Sequence, residues 1–264
     1  MKRKVVLLSL LCLVSLVLSM FVSCKKTEKV EEKVGELKEP AIVGATDGSY
    51  PPFGVVNENG DLEGFEVDVL RAIGEKLGRK VEILNMEYPG ALVGLTTGKV
   101  DMIVTVDESD VKKDKVFLSQ PIMSCGYTAV INKENTTITS EDYLLQNEVK
   151  IGAIQGTGAA EEAEKRYGEK KIVYFDGGEI MYESLAQNKI DAVVNDSVVN
   201  AYFMSKSKRA NELKILSEEF TVASGVSAIS KANPELAEEI LQAIVDLEKE
   251  GKMEEIRKRW DFHL

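Results

Sequence analysis

The feature that most restricts the fold of this chain is a sustained alternation of short apolar, strand-like runs with stretches of helical period. Residues 41–45, 81–84, 101–106, 150–154, 171–175 and 191–194 read as strands. Between them lie helical segments: one from Gly64 with Val67, Leu70, Ile73 and Leu77 on one face, then residues 90–97, 159–167 and 179–188. A last helix opens at Asn233-Pro234, a cap followed by proline at the first helical position, and carries a core stripe of Leu236, Ile240, Ile244 and Leu247. Such alternation predicts parallel sheets flanked by helices. From Ala41 about 220 residues remain, enough for one large domain or two modest lobes.

The start of the chain is of another kind. Lys2, Arg3 and Lys4 precede an apolar run over residues 5–22, interrupted by Ser9, Ser15 and Ser19. In length it sits at the lower edge of a membrane-spanning helix, but its basic start and the small residue before a cysteine fit a secretory signal better. Phe21-Val22-Ser23-Cys24 resembles a lipobox, with Phe where Leu is usual. That resemblance implies a signal peptide over residues 1–23, lipidation of Cys24 and a lipid-anchored, extracytoplasmic location. Residues 24–40, rich in Lys and Glu, are expected to form a flexible tether. Of the three cysteines, Cys12 lies in the leader and Cys24 would carry lipid, so Cys125 is left without an intramolecular disulfide partner and reads as a small buried residue. With 33 Lys and Arg against 44 Asp and Glu, the chain has a net charge of −11, which argues against nucleic acid or an anionic membrane surface as partner.

The densest chemistry lies between Ala41 and Asp68. Thr46-Asp47-Gly48-Ser49 is a cluster of turn formers after the first strand, Asp47 stands three residues before Tyr50, and Pro51-Pro52 stiffens the loop. Residues 57–60 read as a hairpin turn. A rigid loop that presents an anion beside an aromatic plate suits a ligand with a cation and some apolar surface. Thr46-Asp47, Tyr50-Pro51-Pro52-Phe53, Asn59-Gly60, Gly64-Phe65, Val67-Asp68, Ala72 and Leu77-Gly78 together resemble the opening of the solute-binding proteins that capture polar amino acids for ABC importers. The resemblance runs from about Ala41 to Phe262. It implies an α/β, two-lobed fold of the type II periplasmic-binding-protein kind, each lobe a mostly parallel sheet flanked by helices and joined by a two-strand hinge. Lobe 1 would comprise residues 41–128 plus 222–264 and lobe 2 residues 129–221. It further implies a small amino acid or related ligand in the interlobe cleft, an ABC permease in the inner membrane as partner, a monomer, and no cofactor.

Residues 94–106 and 184–196 each run from a helix end through a basic residue and an aspartate into an apolar strand. Taken alone they are generic βα joints. The resemblance places them at equivalent positions in the two lobes, with both strands ending in the cleft, and ligands of open α/β sheets bind beyond the carboxyl ends of strands.

The same resemblance supplies most of the site. Asp196 aligns with the acid that pairs with a ligand α-ammonium, although an Asp between a strand and a helix is also a common N-cap. Tyr50 and Tyr88 fall where aromatics sandwich the ligand, or serve as half-buried packing with wet hydroxyls. Asp47 is expected to bond its own backbone and to shape the field. At the carboxylate end the chain departs from the family. The segment from Thr105 through Asp107, Glu108 and Lys112 to Lys113 has no Arg, and depending on the alignment Lys113 or Lys112 takes the Arg position. Lysine offers a point charge without the planar fork. Three readings follow, in order: a Lys holds a carboxylate less specifically; the acids hold a cationic side chain; or the ligand is not an ordinary α-amino acid. Thr157, in the joint Gln155-Gly156-Thr157-Gly158, and the backbone amides beside it are the remaining candidates for an anionic end. That joint superficially resembles a dinucleotide fingerprint, but Glu161 occupies its sixth position.

Enzymatic readings lack parts. The single histidine is His263, and no Cys/His cluster offers metal ligands. The sequence reads as a binding protein without metal. Its competitors are a carboxylate-based enzyme of the same fold, like a cyclohexadienyl dehydratase, and a ligand-sensing lobe that docks on a membrane receptor.

Overall fold

A computed structural model describes residues 38–262, apart from 109–110 and 207–210. The expected signal peptide, Cys24 and nearly all of the tether lie outside the described residues, as does the side chain of Cys125. Among the described residues no helix is long and apolar enough to cross a membrane.

The elements follow the predicted alternation closely. β1 (Lys38–Thr46), β5 (Arg79–Asn85) and β6 (Met102–Val106) are parallel neighbours, and so are β8 (Ile151–Ile154), β9 (Ile172–Phe175) and β10 (Ala192–Asp196). Between these triplets run two long strands, β7 (Val116–Asn132) and β12 (Phe220–Ser230), antiparallel to each other and to the strands they meet. The resulting sheet is nine-stranded, in the order β5-β1-β6-β12-β7-β10-β8-β9, with β11 (Leu213–Ile215) added on β7. The two strands of the expected hinge thus belong to one hydrogen-bonded sheet, and the two lobes are its parallel ends. β1 begins at Lys38 and so takes the last three residues of the expected tether, and Arg79 holds this start by donating from Nη1 to the Pro40 carbonyl at 2.9 Å.

Local chemistry explains where the helices start and stop. α1 (Phe65–Leu77) follows a small hairpin built of β2 (Ser49–Tyr50), β3 (Gly54–Val56) and β4 (Leu62–Glu63). Its first amides are satisfied by the preceding loop, Phe65 N donating to Pro52 O at 2.9 Å and Glu66 N to Phe53 O at 3.0 Å. It stops at Gly78, which takes the left-handed conformation at φ 64°. Of the helices that follow, α2 is Tyr88–Thr97, α3 Glu141–Gln146, α4 Gly158–Tyr167, α5 Gly178–Ala186 and α6 Ser197–Ser205. α7 (Pro234–Lys249) has the predicted cap, Asn233 Oδ1 accepting from Leu236 N at 3.3 Å. α8 (Lys252–Arg259) is pinned to β7 by the buried Arg257, which donates to Ile122 O at 3.0 Å and pairs with Glu248 at 2.6 Å.

The two look-alike joints are structurally equivalent. Asp101 accepts from Val43 N at 2.8 Å and donates its own amide to Val43 O at 2.8 Å. Asp191 does the same with Lys150, at 2.8 Å in both directions. Each aspartate therefore closes the open edge where a parallel strand begins, and that need explains the repeated basic-x-Asp-apolar pattern. Removing either carboxylate leaves a strand amide unpaired, so Asp101→Ala and Asp191→Ala should each lower stability by about 1–2 kcal/mol. Urea denaturation should find the two losses additive in the double variant, because the joints share no partner.

Candidate functional site

The carboxyl ends of β1, β6, β8, β9 and β10 meet around one cleft of about 470 Å³ that opens to solvent. One wall is the β1–β2 loop. Asp47 Oδ1 accepts from Ser49 N at 2.9 Å and from Ser49 Oγ at 2.7 Å, so the turn bonds its own backbone as the sequence suggested. Tyr50 stacks on Phe53 with centroids 5.6 Å apart, and Phe53 rests edge-on against Phe262 at 4.9 Å. The C-terminal aromatic therefore backs the loop that faces the cavity.

The opposite wall comes from β8, β9 and β10. Asp196 stands at the N-cap of α6, but its side chain makes no cap hydrogen bond. Its Oδ2 accepts from the Tyr50 hydroxyl, which also approaches Asn195 Oδ1 at 2.6 Å. Behind them lies a buried polar chain. Asn195 Nδ2 donates to the Tyr182 hydroxyl at 3.3 Å, that hydroxyl donates to Asn200 Oδ1 at 2.6 Å, and Asn200 Nδ2 donates to the Thr128 hydroxyl at 2.8 Å and carbonyl at 3.0 Å. Burial pushes the Tyr182 hydroxyl far above its ordinary range, so it stays a neutral donor.

Of the residues singled out in the sequence, Asp47, Tyr50, Tyr88, Thr105, Asp107, Thr157 and Asp196 line the cavity. Thr157 caps its own helix: Oγ1 accepts from Ala160 N at 3.3 Å and donates to Ile154 O at 2.8 Å, so the hydroxyl proton is engaged inside the protein. Lys112 and Lys113 are not part of the wall. Both are exposed, and Lys113 Nζ pairs with Glu108 at 2.9 Å. Glu108, next to Asp107 in the chain, is likewise exposed and outside the wall.

The sequence reading passed over Glu66, although it lies in the wall and is 95 % enclosed by protein, with only 5 % exposure. Oε2 accepts from the Thr46 hydroxyl at 2.5 Å and Oε1 from Thr105 N at 3.1 Å. A signal existed: Glu66 falls on the α1 stripe that continues through Leu70, Ile73 and Leu77, and an acid on an apolar stripe has to be accounted for. Burial raises its carboxyl from 4.5 to about 7; the Thr46 and Thr105 donors oppose the rise and nearby Asp47 adds to it. Beside it, the buried Thr105 hydroxyl faces the Glu66 carboxyl and helps to oppose the rise.

The cavity is strongly one-sided in charge. Six carboxylic side chains line it, Asp47, Glu66, Glu87, Asp107, Asp176 and Asp196, and none of the described lining residues is Lys, Arg or His. Three tyrosines, Tyr50, Tyr88 and Tyr127, and Phe53 supply aromatic surface. Such a wall accepts hydrogen bonds and attracts cations. Among the described residues no cluster of three or more His, Cys, Asp or Glu is placed to hold a metal ion.

Glu66 gives the ligand-free protein a pH signature. Because the folded chain binds this proton more tightly than the unfolded chain, ionising the group costs folding free energy once the pH exceeds 4.5, and the cost stops growing near 7. Stability should therefore fall by up to about 3 kcal/mol across that window and then level off in this group's contribution. In Glu66→Gln that component of the pH dependence should vanish, as measured by urea denaturation at a series of pH values.

Residues 42–263 match the family described as bacterial extracellular solute-binding proteins, family 3. The L-cystine-binding protein TcyJ of Escherichia coli K12 is 27 % identical over 249 residues, spanning 94 % of this chain and 91 % of its own. An ancestral arginine-binding protein solved with glutamine superposes with a TM-score of 0.75 at 31 % identity, covering 84 % of this chain and 98 % of that one. The ancestral amino acid-binding protein AncCDT-1, a precursor of cyclohexadienyl dehydratase, superposes with a TM-score of 0.71 at 27 % identity, covering 83 % and 94 %. With its two-lobed type II periplasmic-binding-protein fold and a family match over nearly its whole described length, the chain belongs to the bacterial extracellular solute-binding proteins of family 3.

Proposed function

We propose that this chain is the solute-binding component of an ABC importer and holds an amino acid or amino-acid-like solute in the cavity between its lobes. The observation that carries the reading is the cleft at the carboxyl ends of strands from both ends of the sheet, spanned by the Tyr50 hydroxyl reaching Asn195 and Asp196. In this reading the lobes are residues 41–128 plus 222–264 and residues 129–221, and they close about the β7–β12 crossings. Asp196 takes a ligand ammonium, and the Tyr50 hydroxyl fixes the carboxylate's orientation. Tyr50 and Tyr88 enclose the ligand's apolar part. Binding relatives support it: TcyJ is an L-cystine-binding protein, and the ancestral structure is an arginine-binding protein. Cys24 carries the lipid that holds the protein on the outer face of the membrane near its permease, and the protein acts as a monomer.

A dehydratase reading has one observation in its favour, the likeness to AncCDT-1. Against it, three of the cavity acids are arranged for holding: Asp47 and Asp196 are engaged by neighbouring donors and Glu66 by two threonines. Both readings meet in one experiment on refolded, ligand-stripped protein. A solute at a hundred times its Kd adds about 2.7 kcal/mol to stability and moves the melting point by several degrees. A shift that is lost in Asp196→Ala, with no turnover of prephenate or arogenate, is the expected result. Turnover of either acid would reverse the assignment.

A further inference from the structure

Two lobes that close on a solute need a place where the connecting strands bend, and the β7–β12 ladder is interrupted at one level. Phe220 stands opposite Tyr127 and Val222 opposite Gly126, so Thr221 is an extra residue on β12, a β-bulge. Its φ is 46°, in the left-handed region that a β-branched residue rarely enters and that glycine commonly supplies in bulges. On the facing strand, Gly126 N donates to Glu219 Oε1 at 2.5 Å, and the same oxygen accepts from the Ser197 hydroxyl at 2.5 Å. Ser197 is the first residue of α6, directly after Asp196, so the interrupted level is tied to the acid assigned to the solute.

A strained residue persists only where its surroundings hold it, and α4 supplies the hold. The Thr221 hydroxyl donates to Glu162 Oε1 at 2.9 Å. One turn further along α4, the Arg166 guanidinium lies 4.3 Å from the centroid of the Phe220 ring, and Tyr167 meets that ring edge-on at 6.3 Å. Phe220 and Thr221 are thus both fixed by the helix whose start, Thr157 to Ala159, lines the cleft. In the same arrangement the lobes touch across the cleft through the Tyr50 hydroxyl and its contacts with Asn195 and Asp196.

We propose that Thr221 is the pivot of lobe closure: it enters the left-handed conformation as the lobes close, α4 holds it there, and the strain it carries sets the affinity for the solute. The inference rests on the solute-binding reading and deepens it. A cost borne only by the closed form lowers the closed population and weakens the apparent affinity by the same factor.

The test is calorimetric titration of the refolded full chain with each of the common amino acids, the tightest binder then being carried through Thr221→Gly and Thr221→Val. Both variants lack the hydroxyl, so their ratio reads the backbone alone. Glycine enters the left-handed region freely and valine does not, so the glycine variant should bind more tightly than the valine variant by roughly fivefold or more. Equal affinities, or tighter binding by the valine variant, overturn the proposal whatever urea denaturation shows, because a merely structural role would move stability and leave the affinity ratio at one. Should the valine variant fail to fold, Glu162→Ala takes its place: it releases the Thr221 hydroxyl and must weaken binding of the same amino acid in the otherwise unchanged chain, or the proposal falls. Amino acid binding by the unsubstituted chain with no difference between the variants leaves the solute-binding reading standing without the pivot, and binding of no common amino acid removes both.

Discussion

The structure around the cavity depends on one desolvated carboxyl group. Glu66 sits where the start of α1, the end of β1 and the end of β6 converge, and its two oxygens receive the Thr46 hydroxyl and the Thr105 amide. Three elements from separate parts of the chain are thereby tied at one point, directly under the cavity. The same helix start is capped by the carbonyls of Pro52 and Phe53, so the position of Glu66 and the position of the Tyr50 loop are fixed together. Phe262 packs on both Phe53 and Phe65, and closes this arrangement from the C-terminal side. A carboxyl with so little water around it holds its proton at pH values where exposed acids have lost theirs.

The other wall is organised by amides and hydroxyls. From Tyr50 the contacts pass to Asn195 and Asp196, then through Tyr182 and Asn200 to Thr128 on β7. Asn195 and Asn200 are fully buried, and a half-satisfied network at that depth would be costly, so each member constrains the rotamer of the next. The effect is to hold the Asp196 carboxylate, at the mouth of the chain of contacts, in one orientation relative to the crossing strand.

Much of this was legible in the residues. The alternation of strand and helix, the Asn57 turn and the Asn233 cap all depend on local chemistry, which a sequence states directly, whereas the pairing of the two basic-x-Asp joints came from the family resemblance. Asp47, Tyr50, Tyr88 and Asp196 were found because their spacing resembles a family pattern, and the structure brings them to one cavity. What the residues did not reveal depends on three-dimensional neighbours. Nothing in the order Asp107-Glu108 says which acid turns inward and which pairs with Lys113. Nothing in a Gly-x-Gly joint says that Thr157 will use its hydroxyl on its own helix. The family resemblance implied a two-strand hinge, but that β7 and β12 continue it into one sheet was hidden, since a crossing segment and a long central strand have the same apolar pattern. Glu66 is the instructive omission, because its place on an apolar stripe was visible and only its partners, Thr46 and Thr105, explain it.

The claim that a desolvated Glu66 beneath an acid-lined cavity sets the chemistry of this site is tested most directly by carbon-13 NMR titration of the glutamate side-chain carboxyls, with Glu66→Gln to assign the resonance. For the ligand-free protein the midpoint should fall at about 7. A midpoint in the ordinary carboxylate range, about 4.3, would contradict it, because the group would then be solvated and the cavity floor open to water.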